Sequence, residues 1–468
     1  MTVKTGSKRR TIAVLDPSTG KEVAQVPCAD ERAVTDAVAV ARAAQPAWGE
    51  LGFAARREAL ERVSARLEQS QVLDEMAELV TREMGKPIAD ARREAAGTAK
   101  GIRSLGQSCE EALAPVTTRE NGTVTCVSRE PLGVVAAITP WNFPLGMARE
   151  VIVPALLAGN TVVFKPSEIV PLTGAALAEV FQAELPPGVL SVVQGDESTG
   201  KALVAADIDM VGFVGSVEAG RHIMSACGPG LKRLVLELGG KDPMIVCADA
   251  DLEKAATHAV RESMRNTGQV CCSVERIYVE QAAAERFTGL VVDKTRELSV
   301  GDGRQDVFMG PMASDAQRAN VLAQVEDARA RGAQVLLGGS AGEGEGFFMQ
   351  PTVVTGVDET MDLMNEETFG PVATIRTVES AEQAVELAND SPFGLGACVW
   401  AGDLERGRRL AGRLESGQVG VNRGLGGAGD PPWAGAKQSG FGYLGSPDGY
   451  RQFTRPLSIS WNEPEPGE

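Results

Sequence analysis

Residues 30–112 place apolar side chains at helical spacing, most clearly in ERAVTDAVAVARAAQPAW and ALERVSARLEQSQVLDEMAELVTREMG, and this predicts a run of amphipathic helices. From residue 113 to 131 the pattern changes to alternation. APVTTRENGTVTCVSREP reads as two strands joined at an Asn-Gly turn. Short apolar runs then alternate with helical stretches: GVVAAIT, NTVVFK, LSVVQG, MVGFVG and RLVLELGG. Strands apolar on both faces, each followed by a helix, predict a doubly wound parallel sheet. The second half repeats the alternation with ERIYVE, AQVLLG, PTVVTG, PVATIRTV, GACVWAG and GQVGVN. The expected fold class is α/β, with two doubly wound domains and a separate small β hairpin. The closing NEPEPGE is expected to fray.

Composition narrows the possible partners. A chain of 468 residues is long enough for two or three domains with their own cores. With 46 Lys and Arg against 63 Asp and Glu, the net charge of -17 makes nucleic acid and anionic membranes poor partners. A small molecule or a protein is expected instead. No run is long and apolar enough to span a bilayer. The opening MTVKTGSKRRTIAVLDPSTG is basic but lacks an apolar signal core, so a cytoplasmic location is expected.

Eight cysteines are scattered along the chain, none in a CxxC pair, and only His222 and His258 are available beside them. A zinc site needs clustered ligands, so no metal is expected. Neither histidine lies in a motif, which argues against a His-based triad. Most of the cysteines are expected to be buried thiols.

Several short stretches carry candidate chemistry. GDESTGKA, Gly195 to Ala202, has nearly the spacing of a phosphate-cradling loop after a strand. Ala202 stands where a hydroxyl would bind magnesium, so an ordinary turn competes with a nucleotide phosphotransferase. GFVGSVEAG, Gly212 to Gly220, joins a strand to a helix through small residues, either as a tight turn or as a seat for a pyrophosphate. FKPSE puts Lys165 and Glu168 at a strand end, where open α/β sheets bind ligands. Lys165 can meet a ribose hydroxyl or a phosphate, and Glu168 can accept from a ribose diol and repel a 2′-phosphate. In TPWNFP two prolines hold Trp141, Asn142 and Phe143, and an Asn fixed in this way can donate to an oxyanion. In LELGGK, Glu237 sits between leucines, where partial desolvation raises a carboxylate toward the range of a base. NTGQVCCSVER sets Cys271 and Cys272 side by side: a nucleophile and its neighbour, a metal site, a disulfide or two small core residues. A disulfide between neighbours is strained, because their Cα atoms lie only about 3.8 Å apart.

The ordered series PWNFP, FKPSE, GFVGS, ELGGK, NTGQVCC, EETFGP and WAGAKQSG resembles the NAD(P)-dependent aldehyde dehydrogenase superfamily over essentially the whole chain. The resemblance implies oxidation of an aldehyde to the carboxylic acid through a cysteine thiohemiacetal and a thioester. It implies Cys271 as nucleophile, Asn142 as oxyanion donor and Glu237 as the base that activates water. It implies cofactor contacts from Trp141, Lys165, Ser167, Glu168, Gly195, Gly215, Ser216, Leu238, Gly239, Glu367 and Phe369. NAD is expected to be preferred, with NADP possible. The implied substrate tunnel comprises Phe143, Met147, Glu150, Val270, Cys272 and Trp433. In that family an Arg at the position of Glu150 accompanies oxidation of succinate semialdehyde, so a dicarboxylate product is disfavoured. An acid beside two aromatics would suit an amino-aldehyde.

The implied division assigns residues 1–113 and 132–239 to cofactor binding and 240–438 to catalysis. Residues 114–131 and 439–468 then form an oligomerisation arm and tail, so a homodimer or homotetramer is expected. Two departures stand out. Val214 replaces the threonine of the usual FTGS. Val151 and Leu444 occupy positions where many relatives carry a Lys and a Glu.

Overall fold

The computed structural model describes residues 10–463. The closing NEPEPGE was expected to fray, but Asn462 ends the last strand and the Glu463 N–H donates to the Gly122 carbonyl; residues 464–468 lie outside the described residues. Two mixed sheets form the body. The first has six strands in the order Gly440–Phe441, Arg233–Glu237, Met210–Val214, Val134–Ile138, Thr161–Lys165 and Leu190–Val192. All neighbours in it pair parallel except the short Gly440–Phe441 strand, which runs antiparallel to Arg233–Glu237. Val134–Ile138, Thr161–Lys165 and Met210–Val214 are buried along their whole length. That burial explains their uninterrupted apolar sequences, because helices cover both faces.

The second sheet has seven strands, ordered Gln334–Leu337, Thr352–Thr355, Val372–Val378, Val274–Glu280, Asp242–Val246, Gly396–Trp400 and Gln418–Val421. Asp242–Val246, beside the central strand, is one the periodicity did not separate from the turn before it. An Asp-Pro start disguises a run that is wholly buried between two parallel neighbours. The expected boundary between residues 239 and 240 falls in the loop that leaves the first sheet and enters the second.

The helical stretch resolves into Glu31–Glu50, Phe53–Leu67, Ser70–Met84 and Ile88–Leu113. Asp30 caps the first by accepting from the Ala33 N–H. Gly85, at φ +80°, ends the third in the left-handed conformation that glycine adopts without strain.

The Asn-Gly hairpin forms as expected, from Val116–Glu120 and Thr123–Pro131, with Asn121 at φ 50° and Gly122 at φ 75°. Thr454–Asn462 pairs antiparallel with Thr123–Pro131, so the arm is a three-stranded sheet whose last strand has an open edge. The rest of the tail does not join the arm. Gly440–Phe441 extends the first sheet, and Tyr443–Leu444 pairs with Trp433–Ala434. A further hairpin, Thr11–Asp16 with Lys21–Pro27, stands where only its turn was read from the sequence.

Candidate active site

Residues from both large sheets line one cavity of about 1160 Å³. Asn142, Glu237 and Cys271 meet in it, although they stand far apart in the chain.

Cys271 and Cys272 follow a tight loop in which Asn266, Thr267 and Gly268 all adopt positive φ. Such a run is costly for non-glycine residues, so the loop must be held from outside. The Asn266 amide donates to the carbonyls of Asn142 and Gln269, at 3.1 and 3.0 Å. The Gln269 amide donates back to the Asn266 carbonyl and its Oε1 accepts from the Ala313 N–H. Gly268 has no alternative, because a Cβ there would lie 2.0 Å from the Gly370 carbonyl oxygen. The Gly-Gln pair of the motif therefore shapes the turn that presents the cysteines.

Asn142 is buried just before the helix Pro144–Leu157, and its Nδ2 donates to the Gln269 carbonyl at 3.2 Å. That bond uses one of two amide hydrogens and leaves the other free for a ligand. The Asn142 carbonyl also accepts from the Lys86 ammonium at 2.7 Å. Glu237, at the end of its strand, is 3% exposed. Burial raises its pKa to about 7, opposed by the nearby Cys271 and Trp433. The Trp433 indole N–H lies 3.3 Å from Glu237 Oε1.

The neighbouring Cys272, burial and Glu237 push the Cys271 thiol well up, while Cys271 and Arg265 draw Cys272 down. The Arg265 guanidinium lies 3.8 Å from Cys272 Sγ. Cys271 is thus a thiol that needs a base, and the buried Glu237 carboxylate lines the same cavity.

On one side of these residues the cavity is bounded by Trp141, Gly215, Ser216, Gly239, Glu367 and Phe369. Ser216 caps the helix Val217–Cys227, so free N–H groups and the positive end of a helix dipole face the turn. Glu367 Oε1 accepts from the Gly240 N–H at 3.0 Å, and burial raises this carboxyl to about 8. A Cβ on Gly239 would meet that carboxylate at 2.4 Å, so glycine there keeps Glu367 in place. Trp141 and Phe369 pack edge to face with centroids 5.4 Å apart. This donor set and aromatic wall suit a nicotinamide dinucleotide.

Five expected cofactor residues do not line the cavity. Lys165, Ser167 and Glu168 follow the strand beside Trp141, and Gly195 follows the next one, so they continue the same row of strand C-terminal ends. Lys165 is buried and pairs with Glu168 at 3.6 Å. Gly195 packs on Thr199. Leu238 is a core residue whose N–H donates to the Ser439 carbonyl. The phosphotransferase alternative fails here: Lys201 lies on an exposed helix face, paired with Glu197 rather than aimed into the loop.

All six expected tunnel residues also line the cavity. Glu150, however, is ion-paired with Arg149. The Phe143 ring already carries the Lys86 ammonium at 3.9 Å. The acid and one aromatic that favoured an amino-aldehyde are therefore both engaged by the protein's own cations. The sequence reading missed Lys86, Arg265, Asp430 and Tyr450, which lie outside the motifs and reach the site only through folding.

A profile of the aldehyde dehydrogenase family matches residues 3–459. The chain is 38% identical over 456 residues to a probable succinate-semialdehyde dehydrogenase [NADP(+)] of Sinorhizobium fredii, covering 95% of this chain and 92% of that protein. It is 35% identical to the peroxisomal aminoaldehyde dehydrogenase 2 of Pisum sativum, covering 92% of this chain and 89% of that one. The crystal structure of an aldehyde dehydrogenase from Brucella melitensis biovar abortus superposes with a TM-score of 0.93 at 35% identity, covering 97% of this chain and 95% of that one. The chain belongs to the aldehyde dehydrogenase family. It is an NAD(P)-linked oxidoreductase that converts an aldehyde to a carboxylic acid, and the phosphotransferase alternative is set aside.

Proposed function

We propose that Cys271 is the nucleophile, Glu237 the base and Asn142 the oxyanion donor of this oxidation. The observation that carries the assignment is that Cys271, the buried Glu237 and the Asn142 amide line one cavity. Glu237 takes the Cys271 proton, and the thiolate Sγ bonds to the aldehyde carbon. The carbonyl oxygen, now an anion, accepts from the free Asn142 N–H and the Cys271 backbone N–H. Trp141, Glu367 and Phe369 would hold NAD(P), which would supply the hydride acceptor. Cys271 then carries the acyl group as a thioester. Glu237, having released the cysteine proton to solvent, removes a proton from water, the hydroxide adds to the acyl carbon, and the carbon–sulfur bond breaks as the thiolate takes that proton back. The acid leaves and Cys271 regains its thiol.

Cys272 supports a second reading, because Arg265 favours its thiolate. Two variants decide between them. Cys271→Ala is expected to abolish oxidation while Cys272→Ala keeps most of it. The reverse pattern, or equal loss in two folded variants, would overturn the assignment. Glu237→Gln is expected to release a burst of reduced cofactor and then stall. Activity that needs coenzyme A would instead point to acyl transfer.

NAD is the preferred cofactor on this reading, because a carboxylate at Glu168 would repel a 2′-phosphate bound at that strand end. Lys165 beside it limits the preference. Arg149, Glu150, Arg265, Asp430 and Tyr450 make the cavity lining polar, so a short hydrogen-bonding aldehyde is favoured over a long alkyl one. A panel of semialdehyde, amino-aldehyde, hydroxyaldehyde and alkyl aldehyde with each cofactor tests both points. The open edge of the arm and its exposed Ile459 and Trp461 favour a homodimer or homotetramer. A cytoplasmic location remains part of the proposal.

A further inference from the structure

Trp433 does more than line the tunnel. Its indole nitrogen has a single hydrogen to give, and that hydrogen goes to Oε1 of Glu237. Glu237 Oε2 is buried and has no hydrogen bond from the described protein atoms. We infer that Trp433 is a positioning residue for the base: it ties up Oε1, fixes the carboxylate plane and leaves Oε2 as the atom that accepts protons. The inference rests on the proposed role of Glu237.

The geometry supports a fixed donor. Trp433 opens a two-residue strand that pairs with Leu444, and Leu444 is anchored in the main core. Pro431 and Pro432 stiffen the chain before it. Asp430, one residue further back, accepts from the Tyr450 hydroxyl at 2.8 Å. The ring is thereby held from both sides, on a segment that belongs to neither of the two large sheets. A carboxylate with no such tie would rotate about its terminal torsion, which is broad and two-fold. It would then present either oxygen, at variable direction, to the proton it must take.

Other charged or titratable groups face the same carboxylate. Cys271 and Cys272 approach from the catalytic loop, and Glu367 lies across the cavity. None of them supplies an N–H donor, so the indole is the neutral donor that favours the ionised form without adding charge. Its removal should raise the pH at which the base works.

The test is Trp433→Phe, which keeps an aromatic ring and removes the N–H. A benzothienylalanine in place of Trp433 removes the same hydrogen at unchanged shape, and serves if the phenylalanine variant does not fold. In either variant kcat is expected to fall about tenfold at pH 7, with the acidic limb of its pH profile moved up by about one unit. KM for the aldehyde should change by less than about twofold, since a wall-only role would act on KM. An unmoved acidic limb, or a rise in KM alone, overturns the inference. Glu237→Gln run in parallel separates the two claims. If it turns over normally, the base assignment itself fails. If it stalls while the Trp433 variants match the parent, only the positioning role fails.

Discussion

Two buried lysine–glutamate pairs brace the cleft from opposite sides, and they do so differently. On the first side Lys86 pairs with Glu94, which also accepts from the Leu145 and Gly146 N–H groups at the start of the helix Pro144–Leu157. Lys86 donates in addition to the Asn142 carbonyl and lies over the Phe143 ring. On the second side Lys241 pairs with Glu275 at 2.7 Å, and Glu275 accepts from the Thr368 and Phe369 N–H groups. The first pair finishes a helix end that is ordered in its own right. The second stands in for secondary structure, because residues 366–371 form an irregular loop and Phe369 is held at φ 49°. Where regular structure already fixes the backbone, an ion pair refines it; where none exists, the ion pair has to define it.

The largest expected effect follows from removing the defining pair. Glu275→Ala strands a fully buried Lys241 with only the Thr368 hydroxyl as partner. A loss of about 3–5 kcal/mol of stability is expected, with weaker cofactor binding as the Phe369 loop relaxes. Denaturant melts and cofactor titration measure the two. Unchanged cofactor affinity would show that the loop holds itself.

Behind the cleft a contrasting pair needs no charge. Val151 and Leu444 are both buried in the main core, where a Lys and a Glu would have to satisfy each other. Val151 also packs on Gly212, so the position has no room to relax outward. Val151→Lys alone is expected to destabilise by about 3 kcal/mol, and adding Leu444→Glu to recover part of it in a double-mutant cycle. A lysine variant that melts like the parent would mean that this position, unlike the braces, tolerates a lone charge.

Glu94→Ala comes next, at about 2 kcal/mol, because Lys86 keeps a carbonyl and an aromatic face. Its catalytic signature should be reduced kcat through the Asn142 segment, with cofactor affinity unchanged. Equal loss of cofactor affinity in the Glu94 and Glu275 variants would erase the difference between the two sides.

The mildest test is pH. Burial raises Glu367 to about 8, aided by Glu275 and opposed by the Gly240 N–H and Lys241. The folded state thus holds this proton more tightly than the unfolded chain does. Its contribution to stability is complete below about pH 4.5, the ordinary range of the group, and is lost as pH rises toward 8. Glu367→Gln is expected to flatten the decline in melting temperature between pH 5 and 8. Catalysis runs the other way, since Glu237 must lose its proton near pH 7, so kcat should fall on the acid side.

Much of this architecture was readable in advance, and the reasons are physical. Buried parallel strands must be apolar on both faces, which made Val134–Ile138, Thr161–Lys165 and Met210–Val214 visible as short apolar runs. Asn121-Gly122 announced its hairpin because positive φ at two successive positions selects those residues. Asp242–Val246 was hidden by the polar turn that leads into it. The roles of Cys271, Glu237 and Asn142 were expected from their motifs, whose local chemistry travels with the sequence.

What the sequence determined by itself was the set of elements and the reactive residue types, because periodicity and backbone preference act over a few residues. Tertiary structure alone decided what faces what. Lys86 reaches Asn142 across 56 residues, Glu275 reaches Phe369 across 94 and Trp433 reaches Glu237 across 196. Hydrogen bonds and ion pairs of this kind depend on distances of about 3 Å between side chains. No spacing along the chain encodes those distances until the two sheets have packed.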